Sequence, residues 1–582
     1  MVARALGIVG IAALAPLLAA QKPVDTRVDT SGVPSGATEP RIAAQGGSLY
    51  VVWSETRSAS PDPDVYFNKS EDGGATWLAF DVRLNTNAAG ASSSTEPRIA
   101  VDGSNIVAVW SDDREGPYRV YYNRSGDGGL TWRPLDDRLD TLAVGMGTGS
   151  QDTAAAGGHV YAVWVDYRFG AGADIFFNRS SNGGQTWRSS DARLTTGPSG
   201  LGASTAPQVA ASETNVYVAW QKDPTGSGTW GIYFNRSRDG GANWLGSEVR
   251  LDVPAASDAL APRITESGPH VYVVWQSDRS GTDAIYLNRS SDFGQTWNGE
   301  TRIDTAPGVS SYAPRIAAAG SMVYVAWESA VAGRARVFLN RSADHAATWE
   351  PSQRRIDHAP ASIDARHPRL AATGLSVFVA WQDSRLGRAA VFANRSVFAG
   401  TNWLGADIRL SRSQPATASA ISADLAASPS IVAAAWVDDR ADVYGDIYMN
   451  LQLGAQPFGT GLAGSGGITP RLAIPTLPAI GASLSLELSA GLGGAPAGIG
   501  LGLGGPGALP FLGGTLHVSA PVIFRFLPLG GAGPGQGAGA IALALPPDPM
   551  FLGTEIAAQG FVLDAAAAAG VAMTGGLDLW IG

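Results

Sequence analysis

Apolar and polar residues alternate along most of the chain up to residue 453, and the alternating runs recur at a regular spacing. Eight of these runs end at a tryptophan, 52 to 57 residues apart: Trp53, Trp110, Trp164, Trp220, Trp275, Trp327, Trp381 and Trp436. Alternation with a period of two is typical of β-strands that bury one face. Self-similarity at this length is typical of repeat architectures. The pattern therefore predicts an all-β repeat protein.

Each repeat contains four predicted strands. The second copy reads TEPRIAVDGSNIVAVWSDDREGPYRVYYNRSGDGGLTWRPLDDRLDT. Its segments PRIAV, NIVAVW, RVYYNRS and TW through DDRLDT are rich in Val, Ile, Tyr and Trp, and Gly, Asp or Ser bound them. Four antiparallel strands at this period match one blade of a β-propeller. We therefore predict an eight-bladed β-propeller over residues 21–453, with seven or six blades as alternatives.

The last copy is incomplete. Residues Asp424 to Leu453 supply three strands but have no Gly-rich turn and no second Trp. Near the N-terminus, the residues Thr26 to Thr30 (TRVDT) match the RLDT ending of the other copies. An N-terminal strand that completes the last blade would close the ring and leave no free strand edge. We therefore expect the two ends of the repeat region to pair.

A Gly-rich turn follows the third strand in seven copies. Five turns read SEDGGATW, SGDGGLTW, SSNGGQTW, SRDGGANW and SSDFGQTW, and two degraded turns read SADHAATW and SVFAGTNW. These turns resemble the Asp-box, S-x-D-x-G-x-T-W, of the sialidase (neuraminidase) superfamily, also called the bacterial neuraminidase repeat. The resemblance covers about residues 27–453 and implies a propeller fold.

The chemistry of the box predicts a structural role. Its Asp can accept N–H bonds across the turn, its second Gly can adopt a positive φ, and its Trp can pack between neighbouring blades. One carboxylate per turn supplies too few ligands for calcium. We assign this structural role to Asp72, Trp77, Asp127, Trp132, Asn182, Trp187, Asp239, Trp244, Asp292, Trp297, Asp344 and Trp349.

Asn-x-Ser sequons recur in phase at the end of the third predicted strand. They begin at Asn68, Asn123, Asn178, Asn235, Asn288, Asn340 and Asn394. We interpret this phase-locked position as a hydrogen-bonding role within the blade, not as glycosylation.

Arginine is frequent at the predicted start of the innermost strand. Arg41, Arg98, Arg263, Arg315 and Arg369 each follow a proline, whereas Asp152, Gln208 and Asp424 occupy the same position in the other three copies. A second series, which includes Arg114 and Arg385, follows the first Trp of most copies together with Asp or Glu. Guanidinium groups bind carboxylates through two parallel hydrogen bonds. These arginines therefore predict either a site for an anionic or sugar ligand or a network of ion pairs between blades.

Sialidases hold the sialate carboxylate with three arginines, and the resemblance places function on the face that carries the loops between strands two and three. We predict ligand binding by Arg41, Arg98, Gln208, Arg263, Arg315 and Arg369. No residue can be assigned by motif as the Tyr–Glu nucleophile pair or the acid of that family, so the catalytic residues stay unknown. Asp152 and Asp424 are candidates because they break the symmetry of the ring. Tyr312 and Tyr444 are candidates by location alone.

Composition narrows the class of protein. The formal charge is −10, from 41 basic and 51 acidic residues, and no basic block stands out. Nucleic acid binding needs clustered Lys and Arg, so we exclude it. The chain has no cysteine, which excludes disulfides and cysteine-ligated metals, and we expect no metal and no cofactor.

The N-terminus resembles a bacterial export signal. Arg4 precedes an apolar run from Ala5 to Leu18, and Ala19-Ala20 offers a small-residue cleavage site. We therefore predict a signal peptide at residues 1–20, a secreted or cell-surface location, and no membrane span after its removal, because the run is shorter than the roughly 20 residues of a spanning helix.

From residue 456 to 582 the composition shifts to Gly, Ala, Leu and Pro, with Arg471 and Arg525 as the only basic residues. Alternating runs such as SLSLELSAG and GTLHVSAPVIF predict a small antiparallel β-sandwich. For the whole chain we predict a secreted, monomeric, sialidase-like propeller that binds an extracellular glycan or protein. The alternatives are an active exo-sialidase or another glycoside hydrolase, and a structural cell-surface protein.

Overall fold

The computed structural model describes residues 25–580 except for short segments. The segments left out are 33–35, 58–60, 142–146, 171, 254–256, 397, 413, 416, 442–444, 459, 479–482, 504–505, 520–521 and 547–553. The predicted signal peptide and Tyr444 lie outside the described residues. The chain divides into two compact units, one spanning Val24–Gln452 and the other containing Leu453–Gly582.

The predicted all-β class is confirmed, since the described residues form 41 strands and no α-helix. The first strand, β1 (Thr26–Arg27), belongs to the last sheet of the first unit. Sheet 1 contains β2 (Gly36–Gln45), β3 (Ser48–Thr56), β4 (Asp64–Ser70) and β5 (Val82–Arg83). Sheet 2 contains β6 (Ser94–Asp102), β7 (Asn105–Asp112), β8 (Arg119–Ser125) and β9 (Asp137–Arg138).

Five further four-stranded sheets repeat this antiparallel order. Sheet 3 contains β10 (Thr148–Ala156), β11 (His159–Asp166), β12 (Asp174–Ser180) and β13 (Ala192–Arg193). Sheet 4 contains β14 (Ala203–Ser212), β15 (Asn215–Asp223), β16 (Gly231–Ser237) and β17 (Val249–Arg250). Sheet 5 contains β18 (Ala259–Ser267), β19 (His270–Ser277), β20 (Ala284–Ser290) and β21 (Thr301–Arg302). Sheet 6 contains β22 (Ser311–Ala319), β23 (Met322–Val331), β24 (Arg334–Ser342) and β25 (Arg354–Arg355). Sheet 7 contains β26 (Ala365–Thr373), β27 (Ser376–Asp383), β28 (Ala390–Ser396) and β29 (Ile408–Arg409).

The two ends of the first unit meet in sheet 8. Its strands are β30 (Ala420–Ala427), β31 (Val432–Asp438), the first part of β32 (Asp446–Phe458), and β1. In β1, Thr26 lies opposite Met449 and Arg27 opposite Tyr448. The Val28 N–H donates to the Ile447 carbonyl at 2.8 Å. The N-terminal segment is thus the fourth strand of the incomplete last copy.

The innermost strands of sheets 1 to 8 pack side by side in chain order, and β30 of sheet 8 packs against β2 of sheet 1. The Ile42 N–H of β2 donates to Asp424 Oδ2 of β30 at 3.2 Å. This cyclic order is the arrangement of strands in a β-propeller.

The tryptophans that end the second strands form the core between sheets. All eight have no exposed surface, and Trp275 of sheet 5 packs with Tyr217 and Phe234 of sheet 4. Each sheet therefore buries its largest apolar side chain against its neighbour, as expected of repeat proteins.

The Asp-box turn is held by hydrogen bonds from within the turn. In sheet 2, Ser125 Oγ donates to Asp127 Oδ1 at 2.7 Å, and the Gly129 N–H donates to Ser125 Oγ at 2.8 Å. The Thr131 N–H donates to Asp127 Oδ1 at 2.9 Å. The Trp132 ring packs edge-on against Phe67 of sheet 1, with the ring centroids 4.8 Å apart. The box Trp is only half-buried, in contrast to the tryptophans of the second strands.

The phase-locked Asn-x-Ser segments follow from the same turn. Asn123 is buried, and its Nδ2 donates to the carbonyls of Leu84 and Arg133 at 3.0 and 3.2 Å. The next residue is basic in all seven copies. In sheet 3 this residue reaches the following sheet, where Arg179 donates to the Gly240 carbonyl of the next Asp-box at 2.6 Å. The Ser accepts hydrogen bonds within its own box. All three residues of the segment thus have structural contacts.

The second unit is also built of antiparallel strands. Three strands form one sheet, β33 (Arg471–Ala473), β34 (Ser483–Gly493) and β39 (Gly533–Ala544), and β36 (Pro506–Phe511) pairs with β37 (Gly514–Val518). β35 (Pro496–Gly502) pairs with β38 (Val522–Pro528) and β40 (Glu555–Leu563), and β40 pairs with β41 (Val571–Trp580). Residues from Gly454 of β32 also pair with β41. Two 3-10 turns, Ser465–Gly467 and Ala568–Gly570, complete this unit.

No helix in the described part of the chain is long and apolar enough to cross a membrane.

Candidate functional site

A β-bulge interrupts every innermost strand of sheets 1 to 8. The register shifts at the same point in each strand, immediately before the position that the sequence analysis singled out. The residue two places earlier has a left-handed backbone, with φ between 49° and 56°: Glu39, Glu96, Ser150, Ala206, Ala261, Ala313, His367 and Ser422. Bulges redirect side chains, and non-glycine residues with positive φ are uncommon. Eight equivalent bulges therefore direct eight side chains toward one axis.

Those eight side chains line one central cavity of about 330 Å3. They are Arg41, Arg98, Asp152, Gln208, Arg263, Arg315, Arg369 and Asp424, in ring order. All eight are half-buried. The structure thus brings together every residue that was predicted to bind ligand and both carboxylates that were considered for catalysis. We call this cavity the central channel.

The channel arginines have few protein partners. In Arg263 and Arg315 a terminal guanidinium nitrogen donates to the carbonyl of the preceding proline, at 2.8 and 2.9 Å. Arg369 forms the one ion pair among the five arginines within the described residues, with 3.5 Å between its Nε and Asp424 Oδ1. Much of the hydrogen-bonding capacity of the channel guanidinium groups is therefore directed into the cavity.

The two channel carboxylates connect neighbouring sheets. Asp152 Oδ2 accepts the Val209 N–H of sheet 4 at 3.0 Å, as Asp424 Oδ2 accepts the Ile42 N–H of sheet 1. Burial raises the pKa of Asp152, although Arg98 and the Val209 N–H lower it in part. Both carboxylates thus have a structural role in addition to any role toward a ligand.

The channel disfavours the charged form of the three arginines of sheets 5 to 7. Burial, together with the charge of Arg369, lowers the pKa of Arg263 to about 10. Burial and the charges of Arg263 and Arg369 lower the pKa of Arg315 well below its usual range. The pKa of Arg369 is also lowered, mainly by burial. An anion in the channel would offset this repulsion.

The second arginine series differs, because its members form ion pairs with nearby carboxylates. Arg114 binds Asp112 and Asp136 at 2.6 and 2.7 Å. Its guanidinium carbon lies 4.0 Å from the centroid of the Tyr121 ring. The same combination of a carboxylate partner and an aromatic ring recurs at Arg57, Arg168, Arg279, Arg385 and Arg440. These loop arginines therefore stabilise their own sheets, which distinguishes them from the channel arginines.

The sequence did not reveal the rim of the central channel, by which we mean the bulge residues and the residues beside them. The backbone N–H of each bulge residue needs a hydrogen-bond acceptor. In several cases this acceptor is a side-chain oxygen of the neighbouring sheet, from the residue directly after its buried Trp. Gln276 Oε1 accepts the Ala313 N–H at 2.9 Å, and Glu328 Oε1 accepts the His367 N–H at 2.6 Å. A Gln or Glu directly after the buried Trp, as at Gln221, Gln276 and Glu328, is the sequence signal for these acceptors.

The rim side chains differ between the two halves of the ring. Glu39 and Glu96 stand at the bulge positions of sheets 1 and 2, whereas Ala261, Ala313 and His367 occupy them in sheets 5, 6 and 7. On β22, Tyr312 lies opposite Glu328 of β23 and is 36% exposed. The Arg263, Arg315 and Arg369 segment, which we call the arginine arc, is therefore flanked by small or aromatic residues.

Within the described residues, no group of three or more His, Asp or Glu side chains is arranged to hold a metal ion.

No known protein family profile matches the chain, and no curated protein does. Among the solved structures that the chain resembles is an ulvan lyase from a new polysaccharide lyase family, at 11% identity and a TM-score of 0.43, covering 73% of this chain and 95% of that one. An α-L-arabinofuranosidase from Fusarium graminearum aligns at 14% identity and a TM-score of 0.35, covering 51% and 89%. A protein of unknown function from Dyadobacter fermentans aligns at 13% identity and a TM-score of 0.34, covering 56% and 99%. All three TM-scores lie below 0.5.

Proposed function

We propose that this chain is an exported eight-bladed propeller that binds an anionic glycan in its central channel, with sheets 1 to 8 as the blades. The arginine arc is the ligand-binding group. One observation supports this assignment most strongly: three adjacent guanidinium groups face one cavity, burial and mutual repulsion disfavour their charge, and among the described carboxylates only Asp424 pairs with one of them, Arg369.

The arc is favoured over Arg41 and Arg98 because of the rim. Glu39 and Glu96 repel an anion above those two arginines, whereas Ala261 and Ala313 leave the arc open. Tyr312 adds an exposed aromatic surface at the edge of the arc. Pockets that combine aromatic walls with a few directed polar groups are typical of small-molecule sites. A carboxylated or sulfated sugar matches this combination.

Titration calorimetry of the purified protein with glucuronate and with sialic acid tests the proposal. Arg315→Gln should weaken binding by about 1–3 kcal/mol, because it removes a charged hydrogen-bond donor. Arg238→Gln is the matched control, since Arg238 stands in the Asp-box of sheet 4, on the opposite face. Equal affinity of the Arg315→Gln and wild-type proteins for both acids, or no binding of any acidic sugar, would refute the proposal.

A second candidate function is glycoside hydrolysis. Tyr312 lies on β22, three residues before Arg315, and its cross-strand partner is Glu328 of β23. Cross-strand partners lie within side-chain reach of each other. The hydrolase alternative requires that the protein release the fluorophore of a fluorogenic sialoside and that Tyr312→Phe abolish the release. If the wild-type protein lacks this activity, the hydrolase alternative is rejected and binding remains as the proposed function. A purely structural cell-surface protein would bind no sugar at all.

A further inference from the structure

The charged groups at the mouth of the channel are divided unequally between its two halves. Around sheets 5 to 8, the three arginines of the arc face two carboxylates, Glu328 and Asp424. Around sheets 1 to 3, Arg41, Arg98 and Asp152 line the cavity. Two further carboxylates, Glu39 and Glu96, stand at the bulges two residues before these arginines, and Glu96 acts on the charge of Arg98. One half of the mouth therefore has an excess of positive charge, and the other half has an excess of negative charge.

The carboxylates of the acidic half are only partly used by the protein. Glu39 Oε2 accepts the Glu96 N–H at 2.8 Å. The Glu96 carboxylate is half-buried beside Arg98, whose charge it favours, and no described residue forms an ion pair with Glu39 or Glu96. These carboxylates thus have oxygens available to accept hydrogen bonds at the rim.

The fold does not require negative charge at these positions. The bulge N–H that Glu39 accepts in sheet 2 is accepted in sheet 6 by the neutral amide of Gln276, at 2.9 Å. Bulge positions with the same left-handed backbone hold Ala or Ser in sheets 3 to 6 and 8. The hydrogen bond from the Glu96 N–H explains an acceptor at Glu39 but not its negative charge, and the fold gives no reason for a second carboxylate at Glu96.

We propose that the channel mouth recognises a zwitterionic sugar, with its acidic group over the arginine arc and its ammonium group over Glu39 and Glu96. This inference rests on the proposed function and specifies the ligand class of the same site. An ammonium group donates three hydrogen bonds and matches carboxylate acceptors, whereas a plain anion meets repulsion in that half.

Two probes that differ only in the ammonium group test the inference: D-glucosamine 6-sulfate and D-glucose 6-sulfate, titrated into the full-length protein. The wild-type protein should bind the amino sugar roughly tenfold more tightly, the effect of one charge-assisted hydrogen bond. The double variant Glu39→Gln with Glu96→Gln should bind both sugars equally, with an unchanged melting temperature. Glu213→Gln is the matched control, because Glu213 has the same φ of 54° but is exposed in the turn between β14 and β15; it should keep the preference.

The possible failures are separable. If both sugars bind equally to the wild-type protein and Arg315→Gln weakens both, the arginine site stands and the dipolar mouth is wrong. If the preference survives in the double variant, the ammonium group is recognised elsewhere and the inference is overturned. If neither sugar binds, or if binding is independent of Arg315, the proposed function itself fails.

Discussion

At the scale of single residues, the two series of arginines differ in whether carboxylates lie close enough to form ion pairs with them. Arg114 follows the end of β7 and Arg315 follows the bulge of β22, and both belong to repeated motifs. Arg114 is held by Asp112 and Asp136, and Asp136 comes from the outermost strand region of the same sheet, 22 residues further along the chain. No described carboxylate forms an ion pair with Arg315. The two series could not be separated from the sequence, because the second carboxylate partner of Arg114 is distant along the chain.

Glu266 is a second residue whose environment departs from the repeat. It lies three residues after Arg263, where the other seven innermost strands have Ala or Val: Ala44, Val101, Ala155, Ala211, Ala318, Ala372 and Ala427. Burial raises the pKa of Glu266 to about 7, although the Gly268 N–H lowers it in part. A carboxyl group with a raised pKa favours the folded state only while it is protonated.

We therefore predict that the free energy of unfolding falls as pH rises from about 4.3, the usual glutamate pKa, to about 7. Glu266→Gln is neutral at every pH, so it should unfold like the wild-type protein near pH 4 and be more stable at pH 8. Urea unfolding at these two pH values measures the difference. Parallel pH profiles of the two proteins would show that Glu266 is ionised freely in the folded state.

At the scale of strands, the pattern of apolar residues predicted the sheets but not their bulges. The buried tryptophans and the two-residue alternation identify the strands because every sheet repeats the same burial. A positive φ at Glu39 or Ala313 has no comparable signal, since neither residue type prefers that conformation. The proline before most channel residues is the one local hint, because proline fits a bulge, where no ladder N–H is needed.

Because the bulge residues have a strained backbone, we expect that glycine at a bulge position stabilises the folded state. Ala313 has φ 51°, and a left-handed backbone costs an L-residue roughly 1–2 kcal/mol. Ala313→Gly should therefore raise the free energy of unfolding by up to about 1 kcal/mol, after the greater chain entropy of unfolded glycine is subtracted. Ala317→Gly, in the regular part of the same strand, should lower the free energy of unfolding by about 0.5–1 kcal/mol. Two losses of equal size in chemical denaturation would contradict the bulge geometry.

At the scale of the whole molecule, ring closure depends on a segment that is distant in sequence. Asp29 accepts the Ile447 N–H at 2.7 Å and binds Arg27 at 2.6 Å. Asp25 binds Arg440 at 2.7 Å. Asp25 therefore has the same role beside Arg440 that Asp136 has beside Arg114 in sheet 2. The N-terminal TRVDT segment, which matches the RLDT ending of the other copies, predicted this pairing, because the last copy had no fourth strand of its own.

Asp29→Ala and Asp140→Ala remove equivalent contacts, since Asp140 accepts the Val120 N–H at 3.0 Å and binds Arg138 at 2.7 Å. A short turn keeps the strand of Asp140 beside its sheet, whereas only non-covalent contacts hold the strand of Asp29. Asp29→Ala should therefore expose β32 as a free edge, speed proteolysis of the N-terminus and promote aggregation. Similar proteolysis rates for the two variants would contradict closure by the N-terminal strand.

The central claim is that the arginine arc binds anions in the channel, and a crystal soaked in selenate tests it most directly. Selenate is a tetrahedral dianion whose selenium can be located by anomalous scattering. The account predicts an anomalous peak in the central channel, within hydrogen-bond distance of the Arg315 guanidinium and its neighbours in the arc, and no such peak in Arg315→Gln crystals. Peaks confined to other surfaces, with the wild-type channel free of selenate, would contradict it.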